Sequence, residues 1–286
     1  MGYMHIENLY RDQTILMFKE CWALEKIHGT SAHISWKSAT GQLHFSAGGC
    51  SHERFVGLFD HQKLIENFSK ISPLADVTIY GEAYGASILK MGKIYGDQLR
   101  FIAFDVNIDN HWLSVPNAHE VATGLGLDFV DYVKISTDMA EIDAQRDRPS
   151  VQAVRNGMGE HQREGVVLKP LIELTKNNGD RIVCKHKHQK YMETATPREV
   201  SPERLVVLED AQQIAIEWVT QMRLLHVIDK LGAVTISDAK KIIEAMLEDV
   251  LREASGEIVV SPEVKRAIAT MTMKQFNLYE RSKVND

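Results

Sequence analysis

The chain has 286 residues, 44% hydrophobic and 25% charged, with 33 Lys+Arg against 39 Asp+Glu and a formal net charge of −6. That length suits one large domain or a medium domain with a smaller companion. The acidic balance excludes a protein that holds nucleic acid by bulk electrostatics alone, which needs a surplus of cations facing phosphates. No stretch reaches the about 18–20 consecutive apolar residues of a membrane span, and Met1 to Glu7 lack a basic segment followed by an apolar one. Cys21, Cys50 and Cys184 form no Cys-x-x-Cys pair, so the expectation is a cytoplasmic protein with free thiols, away from any membrane.

In chain order, Ser31 to Trp36 and Gln42 to Ser46 flank Lys37-Ser38-Ala39-Thr40-Gly41, the composition of a hairpin loop. Helical composition follows at about 53–69 and 117–128, and short β-branched or aromatic runs predict strands at about 76–80, 99–106, 164–169 and 181–185. This is an α+β pattern with mainly antiparallel neighbours. The texture changes after Glu193-Thr194-Ala195-Thr196-Pro197. Ser201-Pro202-Glu203 reads as the start of a long helix running to Leu231 before Gly232. Ser237 is placed to cap a second helix with an Ile242, Ile243, Met246, Leu247, Val250 and Leu251 stripe, and Ser261-Pro262-Glu263 repeats the start signal for a third. The division expected is therefore 1–196, mixed, and 197–286, small and all-helical. Residues 151–198 are net basic and those from 200 onward net acidic.

Four short signals carry chemistry. Glu25-Lys26-Ile27-His28-Gly29-Thr30 precedes the hairpin and by itself describes no more than a solvated lysine before a turn. Tyr80-Gly81-Glu82-Ala83-Tyr84-Gly85 ends a strand in a carboxylate bracketed by glycines, suited to accepting hydrogen bonds from a ribose diol or to a plain surface turn. In Phe101-Ile102-Ala103-Phe104-Asp105-Val106, Phe104 can offer a ring face to a purine or belong to the core. In the last, Glu164 and Lys169 bracket an apolar strand, while Cys184-Lys185-His186-Lys187-His188 puts Lys185 and Lys187 on one face and both histidines on the other. A solvated edge strand and a polyphosphate site both satisfy that pattern. The chain carries 12 His, but their spacing is not that of a zinc site.

Taken in order, these signals resemble the covalent nucleotidyltransferase superfamily of ATP-dependent DNA ligases, RNA ligases and mRNA capping enzymes. The segments around Lys26, Phe104-Asp105 and Glu164 to Pro170 look most like the bacteriophage RNA ligase 2 family. The resemblance covers about residues 20–190. It implies a mixed, mainly antiparallel-sheet nucleotidyltransferase domain and an ATP-dependent ligase that seals 3′-OH and 5′-phosphate ends. The steps implied are a lysyl-AMP and then an adenylylated 5′ end, at nicks in RNA or an RNA-containing duplex. Lys26 would be the nucleophile, a role that requires the neutral amine.

By the same resemblance, Glu25, Gly29, Glu82, Phe104, Glu164, Lys169, Lys185 and Lys187 would bind the nucleotide, with Glu82 on the ribose and Phe104 on adenine. Lys185 and Lys187 would also serve catalysis, His28 the later steps, and Glu164 a Mg²⁺ or Mn²⁺ ion. The family's arginine, about 20 residues after the nucleophile, is missing from Ser46-Ala47-Gly48-Gly49-Cys50-Ser51. Arg54 is the nearest candidate for it, and Asp105 is a second candidate substrate contact. Relatives that join DNA or cap mRNA usually continue into a β-barrel, which the strand-poor C-terminal third does not resemble. A monomer is expected. A DNA-nick ligase of the same mechanism and a non-catalytic nucleotide or RNA-binding module that keeps the fold stand as alternatives.

Overall fold

The computed structural model describes residues 2–196, 200, 210–232 and 234–284, and the chain separates into two compact units, Met1–His188 and Gln189–Asp286. The first contains β1 (Glu7–Asn8), β2 (Glu20–Lys26), β3 (Thr30–Lys37), β4 (Gln42–Ala47), α1 (His52–Val56), α2 (His61–Ile71), β5 (Val77–Tyr84) and α3 (Gly92–Tyr95). It continues with β6 (Arg100–Ile108), β7 (His111–Trp112), α4 (Val115–Gly124), β8 (Tyr132–Ser136), α5 (Met139–Arg146), α6 (Val151–Arg155), β9 (Gly165–Pro170) and β10 (Cys184–Lys187). Two five-stranded sheets result, ordered β1-β10-β9-β2-β8 and β4-β3-β5-β6-β7. Neighbours are antiparallel except β1 with β10.

The expected hairpin forms, with Lys37 opposite Gln42 and Gly41 at φ +65° closing the turn. The helix expected at 53–69 is instead two. Ser51 accepts the Arg54 N–H to start α1, and the Asp60 carboxylate accepts the Lys63 N–H to start α2, so a second cap interrupts the run. The strand expected at 181–185 begins only at Cys184. Period-two alternation sends Ile34, Trp36, Val77, Ile79 and Val106 to one face, where they pack with Leu64 and Phe68 of α2 and Ala118 and Ala122 of α4. Each large side chain so buried contributes about 1.5–3 kcal/mol. Between β5 and β6 the register runs Tyr80 opposite Asp105 and then Gly81 opposite Ala103, so Phe104 is the extra residue of a bulge.

The described part of the second unit is helical: α7 (Ala211–Trp218), α8 (Gln221–Leu231), α9 (Ala239–Glu253) and α10 (Pro262–Val284). The start signal at Ser201-Pro202-Glu203 lies outside the described residues. The run expected to continue to Leu231 is broken before α8, where the Thr220 hydroxyl accepts the Arg223 N–H. Ser237 is not the cap of α9, because Thr235 and Asp238 form a capping box just ahead of it. Ser261 does cap α10, accepting the Val264 N–H at 3.2 Å. Trp218, Leu224, Ile242, Met246, Val250, Ile268 and Phe276 form the core. No described helix is long and apolar enough to cross a membrane.

Candidate active site

Lys26, the last residue of β2, lies opposite Gly165 of β9, and Gly165 lies opposite Lys187 of β10. Two residues along, Leu24, Val167 and Lys185 form the next row, and Trp22 faces Lys169 beyond it. Cross-strand partners share a face, so Lys26, Lys169, Lys185 and Lys187 all belong to one side of this sheet. Only glycine fits between the two terminal lysines. Gly165 has φ +154°, and a Cβ there would stand 2.2 Å from the His186 carbonyl oxygen and 2.8 Å from Lys187 Cα.

Glu164, one residue earlier, supplies the counter-charge. Its Oε2 is 3.0 Å from Lys26 Nζ and 3.2 Å from His28 Nδ1, and its Oε1 is 3.1 Å from Lys187 Nζ. Burial pushes this carboxyl up, but Lys26, Lys187 and His28 outweigh it and hold Glu164 well below the usual carboxylate range. Lys26, His28, Glu164 and Lys187, more than 130 residues apart at the extremes, therefore meet as one cluster.

A second buried cluster surrounds Asp105. Its Oδ2 accepts from Lys169 Nζ at 2.7 Å, Arg181 Nη1 at 2.7 Å and the Tyr3 hydroxyl at 2.6 Å, while Oδ1 accepts the Val106 N–H at 3.1 Å. Burial raises Asp105, and Lys169 and Arg181 overcome it to keep the carboxyl ionised below its ordinary value. Lys169 is lowered by burial, with Arg181 adding to the effect and Asp105 opposing it. Tyr3 is raised well above a free phenol by burial and the Asp105 charge, so it keeps its proton and donates. Arg181 also forks onto Glu173, at 2.9 and 2.6 Å, and stacks 4.0 Å above the Trp112 ring.

The remaining expected residues fall as follows. Phe104 is partly buried, its ring edge-on to Tyr3 at 4.9 Å and its carbonyl 3.5 Å from Lys169 Nζ. Glu82 on β5 flanks Gly29: a Cβ on Gly29 would lie 2.9 Å from Glu82 Cγ and 2.4 Å from the Ala83 carbonyl oxygen. Glu25 points to the opposite side of its sheet from Lys26, by alternation along β2. There it accepts from the Ser150 hydroxyl at 2.5 Å and the Val151 and Gln152 N–H groups at 3.0 and 3.3 Å, holding the start of α6. Burial raises the Glu25 carboxyl, with Ser150 and Arg163 opposing. Asp105 is fully buried in ion pairs, with no face open to a strand of nucleic acid. Arg54 is exposed on α1. His186 turns away from the lysines to Asp143, at 2.7 Å.

Tyr3, Glu173 and Arg181 join these clusters without having been singled out by any sequence motif. Arg181 was legible only as the start of a strand, and Tyr3 gave no signal.

The implied divalent ion finds one carboxylate here, Glu164, and among the described residues no group of three or more His, Cys, Asp or Glu that could enclose a metal. That donor set fits a hard cation that brings most of its shell as water and substrate phosphate, and it does not fit an all-protein cage.

A family model described as RNA ligase matches residues 19–187. The chain belongs to the RNA ligase family. No curated protein sequence gives a significant match. Among solved structures, a lysine-to-alanine variant of Naegleria gruberi RNA ligase with ATP and Mn is 17% identical with a TM-score of 0.51, over 67% of this chain and 57% of that one. A lysine-to-methionine variant with AMP and Mn is 15% identical with a TM-score of 0.52, over the same shares. The ligase with pyrophosphate is 16% identical with a TM-score of 0.50, again over 67% and 57%. The match thus spans little more than half the length of those chains, and at such identities it establishes a shared fold. Apart from β1, both sheets of the first unit and all four lysines lie inside the matched segment.

Proposed function

We propose that this RNA ligase family member is an ATP-dependent RNA ligase that joins 3′-OH to 5′-phosphate ends at nicks in a duplex, through a lysyl-AMP on Lys26. The observation that carries the reading is the convergence of Lys26, His28 and Lys187 on the buried Glu164 carboxylate. Three cationic or basic groups held around one anion, on a sheet face that also bears Lys185, form a ready site for polyphosphate.

In the first step the neutral Lys26 amine attacks the α-phosphorus of ATP. The N–P bond forms, the bond to pyrophosphate breaks, and the amine gives up its proton. An oxygen of the RNA 5′-phosphate then displaces Lys26 from phosphorus, and the 3′-OH finally displaces AMP. Each step is an in-line displacement that demands positioning and charge neutralisation. Lys187 and Lys185 face the phosphates, Glu82 beside Gly29 takes the ribose hydroxyls, and Phe104, presented by its bulge, stacks on the base. Glu164 is the residue that would hold a Mg²⁺ or Mn²⁺ ion, which would supply further charge neutralisation.

Intact mass after incubation with ATP and Mg²⁺, on protein first treated with pyrophosphate, tests the reading. The expected result is a gain of one AMP with ATP, none with GTP and none in Lys26→Ala. No gain on the wild type refutes the enzyme and leaves a nucleotide-binding module. Nicked duplexes with ribose or deoxyribose at the 3′-OH end then decide between RNA and DNA joining.

A further inference from the structure

Behind Lys26, on the side away from the lysine-bearing face, the residues flanking the nucleophile are tied to one short element. Glu25, one residue before Lys26, holds the first amides of α6. Two residues after Lys26, the His28 N–H donates to the Tyr95 hydroxyl at 3.3 Å. Tyr95 itself is gripped by the end of α6, where Asn156 Nδ2 donates to its carbonyl at 2.9 Å. Gln152 Nε2 bridges Asn156 Oδ1 at 3.1 Å and the Tyr84 hydroxyl at 2.8 Å, and the Tyr84 and Tyr95 rings meet edge to face at 5.2 Å. Glu25, His28, Tyr84, Tyr95, Ser150 and Gln152 are all buried. None of these contacts touches the lysine cluster except through the backbone of 25–28.

We infer that Tyr95 is a positioning residue for the nucleophile, fixing the Lys26–His28 backbone through the His28 amide while α6 fixes both Tyr95 and Glu25. The inference rests on the lysyl-AMP reading. A lysine side chain is long and flexible, so the direction of its Cα–Cβ bond decides whether its amine meets phosphorus in line. Two anchors on one rigid piece define that direction where a single strand end would fray. Misplacement by about 1 Å at a reacting group can cost about 100-fold in rate. The groups assigned above to nucleotide binding, Lys185, Lys187, Glu82 and Phe104, contribute no side chain to the clamp.

The test compares wild type, Tyr95→Phe and Tyr84→Phe. Both variants remove one buried hydroxyl and keep the ring, but only Tyr95 bonds the nucleophile segment. Lysyl-AMP formation is followed at varied ATP in single-turnover reactions, alongside amide hydrogen exchange of the segment around His28. The expected result is a 10- to 100-fold lower maximal rate in Tyr95→Phe, an ATP half-saturation within about threefold of wild type, and faster exchange at His28. Tyr84→Phe should lose less rate and leave His28 exchange unchanged. Equal rates in Tyr95→Phe and wild type, or equal losses in the two variants, overturn the clamp while leaving the lysyl-AMP reading intact. A wild type that takes up no AMP overturns the reading and the catalytic role of the clamp together, and the exchange data then report only a structural hydrogen bond.

Discussion

Replacing Glu164 by Gln tests whether one buried carboxylate holds the site together. The change preserves shape and leaves Lys26, His28 and Lys187 gathered 3.0, 3.2 and 3.1 Å from a neutral amide. Breaking a buried ion pair by removing one partner costs about 3–5 kcal/mol, because the charges left behind lack compensation. Lys26 is 22% exposed and recovers some solvation, which favours the lower end, about 3 kcal/mol. For a unit of 188 residues this lowers Tm by roughly 6–12 °C. Thermal unfolding at pH 7, followed by circular dichroism, measures it, and inorganic pyrophosphate should restore part of the loss by supplying the missing negative charge.

The pH dependence has a fixed sign. Glu164 titrates lower in the folded chain than unfolded, so its stabilisation is fully present above about pH 4.5 and is lost as pH falls towards the depressed folded value. The wild-type advantage over Glu164→Gln should therefore shrink on acidification below about pH 4.5. A Tm difference under about 2 °C at pH 7, or an advantage that grows as pH drops below 4, would refute the argument that Glu164 neutralises the cluster.

Further outcomes follow from the same contacts. Gly165→Ala should separate β9 from β10 at Lys187, since the new Cβ would sit 2.2 Å from a backbone oxygen; a loss of about 3 kcal/mol or more and weakened ATP binding by calorimetry are expected. Asp105→Asn should cost about 3–5 kcal/mol by leaving Lys169 and Arg181 facing each other, with the wild-type advantage lost only below the ordinary Asp range, as denaturant titrations across pH would report. Arg223→Met should destabilise the helical unit through the loss of its bonds to the Trp218 carbonyl and Asp249, at 2.9 and 2.5 Å, with lysyl-AMP formation on the first unit unaffected. Limited proteolysis and intact mass separate those two readouts.

The order of the chemistry-bearing segments, the β3–β4 hairpin, the shared face of Lys185 and Lys187, and the helical composition of the C-terminal part are legible in the sequence. Each is a local property, written in period, turn residues or caps within a few positions. It did not show that Lys26 ends a strand. It also could not show that Lys26 shares a row with Gly165 and Lys187, because non-local register depends on which strands pair and a one-residue slip inverts every side chain. The same slip-sensitive alternation turns Glu25 away from Lys26 and onto α6. Asp105 carried only a motif in the sequence, and packing against Lys169, Arg181 and Tyr3, up to 102 residues away, made it the centre of a buried ion cluster. Tertiary structure alone decided these partners. Burying one charge requires others to be brought to it, and no local pattern records where they come from.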